Sequence, residues 1–592
     1  MKIGITTIKV FSSPLFYGFI LIIYSLIFYF PSLYNGFFCW DDKTVALAPV
    51  IIHMTFAGIV HLFFSFHVGL YHPLTSFSFM LDYSIGNGSP WPFHITNLIL
   101  HICNILLLFV LLIRLTRNLR ISFITCLLFA AHPMHIESIA WITSRKDLMF
   151  TFFSLLSITF YTDYTDKRQK VIYYFLVMFC VIFALLSKIQ AVTLPFIFLL
   201  IDYFKGKSWK LRLIMEKVPF FLLCIFFGIL NIIAQQEYGY ISYGYHFSIV
   251  ERAILMIYSI SQYFIKILFP YPLSIFYPFP FKPRETIPLE LFYIPCLLIL
   301  GLAILLFRRK RCKRQIIFGL LFFFLNIIIV SGVSFYRDAV IADRYTYISS
   351  AGIMFVIAVI ADDLLRTIKK YRIPVICLLV TYIAMMSLLT FQRIVMWNNP
   401  EILFRNALSI NKNSDIILNT LATQEIESGK YKDAIYHLDN AIMISPDYTD
   451  AYFNRGIAYG RTGNLNASIR DLTHSIKINP IYYEAYFARG NAYMKSNDLQ
   501  PAFDDFTIVI RLDPDHFGAF QNRAIVRGNM GDFAGAIEDL NVAISLNPGF
   551  AASYYLRGIA LFNTGGNGRM DLYKSLSMGY MDAKRAIEYY CK

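Results

Sequence analysis

FHITNLILHICNILLLFVLLI, residues 93–113, is an apolar run that ends against Arg114, Arg117 and Arg120. As a helix rising ~1.5 Å per residue, it spans the ~30 Å hydrocarbon core of a bilayer. Comparable runs lie at about 14–34, 119–135, 147–162, 171–187, 190–204, 217–235, 291–307, 315–333, 347–364 and 374–391. Residues 1–392 therefore read as a polytopic, all-α membrane domain of about eleven spans. Lys2 and Lys9 precede the first run and no small-residue cleavage pattern follows it, so it reads as an uncleaved anchor.

Composition agrees. Of 592 residues, 57% are hydrophobic and only 15% charged, and the mean hydropathy is +0.54. These values exclude a single soluble domain, a disordered chain and a disulfide scaffold. The nine cysteines form no CxxC pair and mostly sit inside apolar runs, as small hydrophobes. The net charge of +15 would suggest nucleic acid on a soluble protein. However, residues 393–592 hold 20 basic and 21 acidic side chains, and residues 1–392 hold 33 and 17. The excess thus belongs to the membrane part, and no nucleic-acid partner is expected.

The excess records topology. Basic clusters at 114–120, 167–170, 205–212, 308–314 and 366–372 should all face the cytoplasm. A cytoplasmic N-terminus satisfies all five if 251–269 does not cross. That segment carries Glu251, Arg252, Gln262 and Lys266 and reads as an amphipathic interfacial helix. The loops 35–92, 133–146, 236–290 and 334–346 then lie outside, as does everything after residue 392.

The C-terminal part, 393–592, is a repeat array. Prolines recur at 446, 480, 514 and 548, every 34 residues. In the same phase run Tyr452/Tyr486/Phe520/Tyr554, Arg455/Arg489/Arg523/Arg557 and Gly456/Gly490/Ala524/Gly558. The small residue lets two helices approach, the aromatic fills a groove, and the proline stops the second helix. This is the tetratricopeptide signature. Full repeats fall at about 415–448, 449–482, 483–516 and 517–550, with a degenerate cap after 551. Phe404 and Ala407 are in phase and mark a half-repeat that follows directly on the last membrane helix. Such a solenoid offers a concave groove to polypeptides, or serves as a spacer or self-association surface.

Charge is expensive in a membrane domain, so its placement is informative. Asp41 and Asp42 are adjacent in Phe38-Cys39-Trp40-Asp41-Asp42, just outside the first span. Paired carboxylates suit a general base, because each raises the other's pKa. The same residues also suit the N-cap of a helix over 43–53. His53, His61, His67, His72, His94, His101, His132 and His135 gather on or beside the first two outer loops. Their spacing fits no zinc motif, which favours satisfied polar residues lining a cavity. On the same face stand Arg145, Lys146, Lys188, Arg337 and Arg344, suited to an anionic head group or to snorkelling at the interface. An acid pair, several cations and a polypeptide-binding array suit transfer from a lipid carrier to a protein.

The chain resembles the transmembrane and tetratricopeptide-repeat O-mannosyltransferases, polytopic glycosyltransferases of the GT-C class. The likeness rests on Trp40-Asp41-Asp42, Tyr71-His72-Pro73-Leu74-Thr75 and Phe93-His94 with Asn97 and His101. It continues in Ala131-His132-Pro133-Met134-His135-Ile136-Glu137-Ser138, Ala140-Trp141-Ile142, Arg145-Lys146-Asp147-Leu148, Leu186-Ser187-Lys188 and Ala342-Asp343-Arg344-Tyr345-Thr346-Tyr347. Two positions depart from the family: Ile189 stands where an acid is usual, and Asp343 where Glu is usual.

The resemblance implies a polyprenyl-phosphate sugar donor, a Ser/Thr hydroxyl acceptor on the extracytoplasmic side and inversion at the anomeric carbon. Asp41 or Asp42 becomes the catalytic base. Arg344, Arg145 and Lys188 become the donor-phosphate ligands. His72, His94, His132, His135, Glu137, Asp147, Asp343 and Tyr345 become substrate-binding or orienting residues. No metal is required, although a divalent cation remains compatible. The compact chain, ending Tyr589-Tyr590-Cys591-Lys592 without a retention tail, reads as bacterial, with the array in the periplasm. Two other readings are a non-catalytic membrane-anchored scaffold and a lipid-linked-sugar transporter. Against the scaffold stand the charges at the outer mouth. Against the transporter stands the lack of paired broken spans.

Overall fold

The computed structural model describes residues 13–591 apart from 39, 53, 67–68, 70, 167–169, 238–246, 282–287, 289 and 332–338. Arg337, His53 and His67 therefore lie outside the described residues. The described chain is helical throughout, and its only β feature is an isolated bridge between Tyr277 and Ile341. It divides into two compact units, Met1–Asn411 and Lys412–Lys592.

Five described helical segments of the first unit are long and apolar enough to cross a membrane: Pro14–Tyr34, Trp91–Thr116, Leu211–Glu237, Lys310–Val330 and Lys369–Met396. A sixth is added if Leu119–Ala130 and Pro133–Ala140, bent by 55°, count as one broken span. The bend falls at Pro133, which has no N–H to continue the ladder, and His132 before it is extended. The count of about eleven includes segments that are shorter or more polar helices, among them Arg145–Asp166, Val171–Ser187 and Ile189–Phe204. Hydropathy averages over a helix, whereas Arg145–Asp166 buries Ser154, Ser157, Thr159 and Thr162 against protein. Several apolar helices fit a multi-pass membrane protein all the same. Leu15, Phe19 and Ile27 of the first helix are exposed, as lipid-facing side chains should be.

Close approach is built from glycine. A Cβ on Gly319 would lie 2.6 Å from the carbonyl oxygen of Gly352, so Lys313–Ile327 and Ser350–Thr367 meet only because both positions lack one. The segment expected at the interface is the helix Ile249–Leu268, opened by a Ser248/Glu251 capping box. It is not among the helices apolar enough to cross. Tyr382 donates to the Leu268 carbonyl at 2.9 Å, and Tyr263 accepts from the Ala342 N–H at 3.0 Å. These bonds tie that helix to Arg372–Met396 and to the 342–346 turn.

The second unit is a solenoid of helix pairs from Asp415–Glu427 to Asp582–Tyr590. Its first four pairs follow the 34-residue period, and each proline stands just past the end of a second helix. Each in-phase arginine clamps one aspartate with two parallel N–H donors: Arg455–Asp471, Arg489–Asp505, Arg523–Asp539 and Arg557–Asp571. The separation is 16 residues in three pairs and 14 in the last, where the array turns into its cap. Helix Pro400–Ile410, in phase as a half-repeat, packs within the first unit with Phe404 and Ala407 buried.

Candidate active site

The first outer loop hangs its two acids in opposite ways. Asp42 is wholly buried: Oδ2 accepts from the Phe38 N–H at 2.8 Å and Oδ1 from the Thr143 N–H at 2.9 Å. It therefore clamps the loop onto the turn before Arg145. Burial, only partly offset by those two N–H groups, pushes its carboxyl up to about 7, and the neighbouring Asp41 adds to the rise. Asp41 keeps both of its bonds on one oxygen. Oδ1 accepts from Trp141 Nε1 at 3.0 Å and from Thr143 Oγ1 at 2.6 Å. Among the described residues no hydrogen bond reaches its Oδ2. Although Asp41 precedes the short helix Asp42–Ala46, its side chain makes no capping bond.

The cations separate in the same manner. Arg344 pairs with Glu137, donates to the Tyr345 hydroxyl at 3.2 Å and lies between two rings, 4.9 Å from the centroid of Trp141 and 4.7 Å from that of Tyr345. Its side chain remains 18% exposed, so donors are left over for a ligand. Trp141 thus carries Asp41 on its N–H edge and Arg344 on its face. Lys188 pairs with Asp147 and sits 4.8 Å above the Tyr345 ring; this ion pair forms despite Ile189, because the acid comes from another helix. Arg145 is 0% exposed and fully engaged. Its guanidinium bonds Asp82 at 2.5 Å, Asn97 at 2.7 Å, Ser78 at 3.0 Å and the Phe93 carbonyl at 2.8 Å. Nothing of it faces a ligand. Lys146, next in sequence, has no hydrogen bond or ion pair among the described residues.

The histidines are mostly structural. His94 Nε2 is 3.3 Å from the Gly36 carbonyl, and His132 Nε2 is 3.0 Å from the Ile267 carbonyl. His135 bridges the Phe129 carbonyl and Ser350 Oγ, both at 2.9 Å, and His101 meets the Tyr347 hydroxyl at 2.7 Å. His72 Nδ1 is buried without a hydrogen-bond partner, as are His94 Nδ1 and His101 Nε2. Burial first, then Lys146 and Lys188, lower the pKa of His72 to about 3, so its ring is neutral at physiological pH. Among the described residues no three His, Cys, Asp or Glu side chains gather as a metal site.

Some residues that build the site are not assigned to it by the sequence alone. Arg393 donates to Asp343 at 2.8 Å and to the carbonyls of Leu273 and Ser274 at 3.0 and 3.1 Å, and Tyr277 donates to Asp343 at 2.9 Å. Asp343 is thereby spent inside the protein, and its neighbour Arg344 is held in place. Trp397 and Phe404 pack on Phe38 with ring centroids 5.1 and 5.8 Å away, and Phe404 lies 5.5 Å from Trp40. The ends of the last membrane helix and the helix after it thus buttress the loop of Asp41. An available signal was the unusual density of Trp and Phe around the acid pair.

Residues 424–463 match the family described as TPR repeat, and residues 449–482 and 483–516 that described as tetratricopeptide repeat. Protein O-mannosyl-transferase TMTC3 of Homo sapiens is 24% identical over 444 residues, 67% of this chain and 46% of its own length. Protein O-mannosyl-transferase F38B6.6 of Caenorhabditis elegans is 25% identical over 388 residues, 64% of this chain and 54% of its own. Protein O-mannosyl-transferase Tmtc2 of Drosophila melanogaster is 32% identical over 173 residues, 27% of this chain and 18% of its own. The chain spans about half the length of the first two relatives. Among solved structures, that of the MamA protein covers 29% of this chain and 94% of its own, at 24% identity and a TM-score of 0.27. The relatives are eukaryotic, which leaves the expected bacterial inner membrane without support. The chain's homologues are protein O-mannosyl-transferases, and the chain itself carries tetratricopeptide repeats.

Proposed function

We propose that this chain transfers one mannose from a polyprenyl-phosphate carrier to Ser or Thr hydroxyls of polypeptides on the extracytoplasmic side. The sugar follows the names of the relatives, and the carrier and the inverting course follow the resemblance of the motifs. The observation that carries the reading is the arrangement around Trp141: a carboxylate with one unoccupied oxygen on its edge and a partly exposed guanidinium on its face.

In this reading Asp41, not Asp42, is the base. The acceptor hydroxyl gives its proton to Oδ2 of Asp41 as its oxygen bonds to the anomeric carbon. The bond from that carbon to the phosphate oxygen breaks on the opposite face, and its electron pair leaves with the lipid phosphate. Arg344 meets the charge that grows there, a kind of preorganised contact worth about 3–4 kcal/mol in oxyanion sites. Lys146 and Lys188 add positive potential nearby. Arg145 anchors the helix behind them in place of touching the donor. Asp42 holds the loop in shape. No step needs a metal.

The test is transfer from radiolabelled polyprenyl-phosphate mannose to Ser/Thr peptides by the purified chain in lipid nanodiscs. Label on peptide that depends on Asp41 supports the proposal. A folded chain that transfers nothing would leave the scaffold reading, and transfer undiminished in Asp41→Asn would overturn the assignment of the base.

A further inference from the structure

We propose that the cavity between the second and third repeats takes a bulky apolar side chain of an extended polypeptide, and that Arg461 and Lys495 at its rim hold a nearby carboxylate of that polypeptide. That this polypeptide is the acceptor rests on the transferase reading; the docking chemistry does not.

The cavity is about 460 Å³, within the usual range for ligand sites and larger than a tryptophan side chain needs. Phe453, Ile457, Phe487, Ala488 and Met494 give it apolar walls, and Asn491 offers one amide for a peptide backbone. Gly456 and Gly460 also line it. A Cβ on Gly456 would come 2.8 Å from Leu472 and one on Gly460 3.2 Å from Ser468, so both let the two helices of the repeat pack closely beside the opening. An apolar concavity left open to water is unfavourable unless something docks in it.

Charge decides what fills it. Four arginines of the array are locked onto aspartates by paired hydrogen bonds. Arg461 and Lys495 are not. They occupy the same position in successive repeats, in the last turn of each first helix, are exposed, and have no hydrogen bond or ion pair among the described residues. The acid that also lines the cavity, Glu484, interacts with Tyr483. The helix C-termini favour cations there, which accounts for their presence but not for an apolar cavity beside them. Two cations against the single acid Glu484 leave the rim net positive, and a net positive rim beside an apolar hollow complements a segment that is both apolar and acidic.

The test uses the full chain in nanodiscs and short fluorescent peptides without Ser or Thr. One peptide carries a Trp flanked by Asp residues, a second has the Trp replaced by Ala, and a third has the Asp residues replaced by Lys. The first should bind, with either replacement weakening it about tenfold, the worth of one good contact. The double variant R461E/K495E should lose about tenfold for the acidic peptide and gain for the Lys peptide. Both side chains are exposed, and an unchanged melting curve confirms the fold. Equal binding of all three peptides, no binding of any, or unchanged affinity in the double variant would overturn the proposal. Because the peptides lack hydroxyl acceptors, binding is scored apart from transfer. Preserved discrimination without transfer would count against the enzyme reading alone.

Discussion

Asparagine substitution of the two adjacent acids should produce opposite failures. Asp41→Asn keeps Oδ1, and with it the bonds from Trp141 Nε1 and Thr143 Oγ1, while the amide nitrogen falls where no protein group bonds. Stability should change by less than about 1 kcal/mol. Transfer should fall roughly 10²–10⁴-fold, about 3–5 kcal/mol on the barrier, because the general base is gone. Asp42→Asn has one oxygen for two backbone donors, so the N–H of Phe38 or of Thr143 is left buried without an acceptor. That costs about 1–3 kcal/mol of stability. The cost is read best near pH 5, because as pH rises toward 7 the wild type loses stability through a buried carboxyl that Asn lacks. The assays are thermal unfolding in nanodiscs and initial transfer rates from polyprenyl-phosphate mannose. An Asp41→Asn protein that keeps more than about a tenth of the rate, or a stable Asp42→Asn protein that has lost it, would refute the division of labour.

The raised carboxyl of Asp42 gives a pH signature. Between about 4 and about 7 the folded chain keeps a proton that the unfolded chain has lost, so this group's contribution is present at low pH and fades as pH rises through about 7. The melting temperature of the wild type minus that of Asp42→Asn should therefore fall from pH 5 to about pH 7 and level off by pH 8, by the equivalent of roughly 3 kcal/mol at most. A constant difference, or one that grows with pH, would contradict the burial argument. Arg344→Lys keeps a charge beside Glu137 but loses the plane stacked on Trp141; the chain should stay folded while its maximal rate drops about tenfold or more. Arg393→Ala strands Asp343 in the interior and should cost about 3–5 kcal/mol in thermal or denaturant unfolding. Gly490→Ala would set a Cβ 2.9 Å from the Phe506 ring, for a loss of about 1–3 kcal/mol by overpacking, read as earlier melting.

Much of the architecture was legible along the chain because its signals are periodic. The 34-residue recurrence of Arg455, Gly456 and Pro480 encodes one helix pair packing on the next, and the array is built from those local contacts. The apolar runs likewise announce helices. Among the described residues five or six helices are long and apolar enough to cross, and further apolar runs of the sequence form shorter helices such as Val171–Ser187 and Ile189–Phe204.

The candidate site was legible as a neighbourhood and not as an arrangement. Sequence alone marked the acid pair at 41–42, the cations of 145–188 and 344, and the repeats behind them, because charge is rare in an apolar domain. It left Asp41 and Asp42 equivalent, since adjacent residues of one type carry no record of which is buried. Tertiary structure separated them by bringing Thr143, about a hundred residues away, to offer an N–H to one and a hydroxyl to the other. Likewise it withdrew Arg145 into a cage with Asp82 and Asn97, paired Lys188 with Asp147, and set Arg344 across from Asp41 on one indole. A charged group is either spent or free according to partners distant in sequence, and only folding brings those partners within a hydrogen bond.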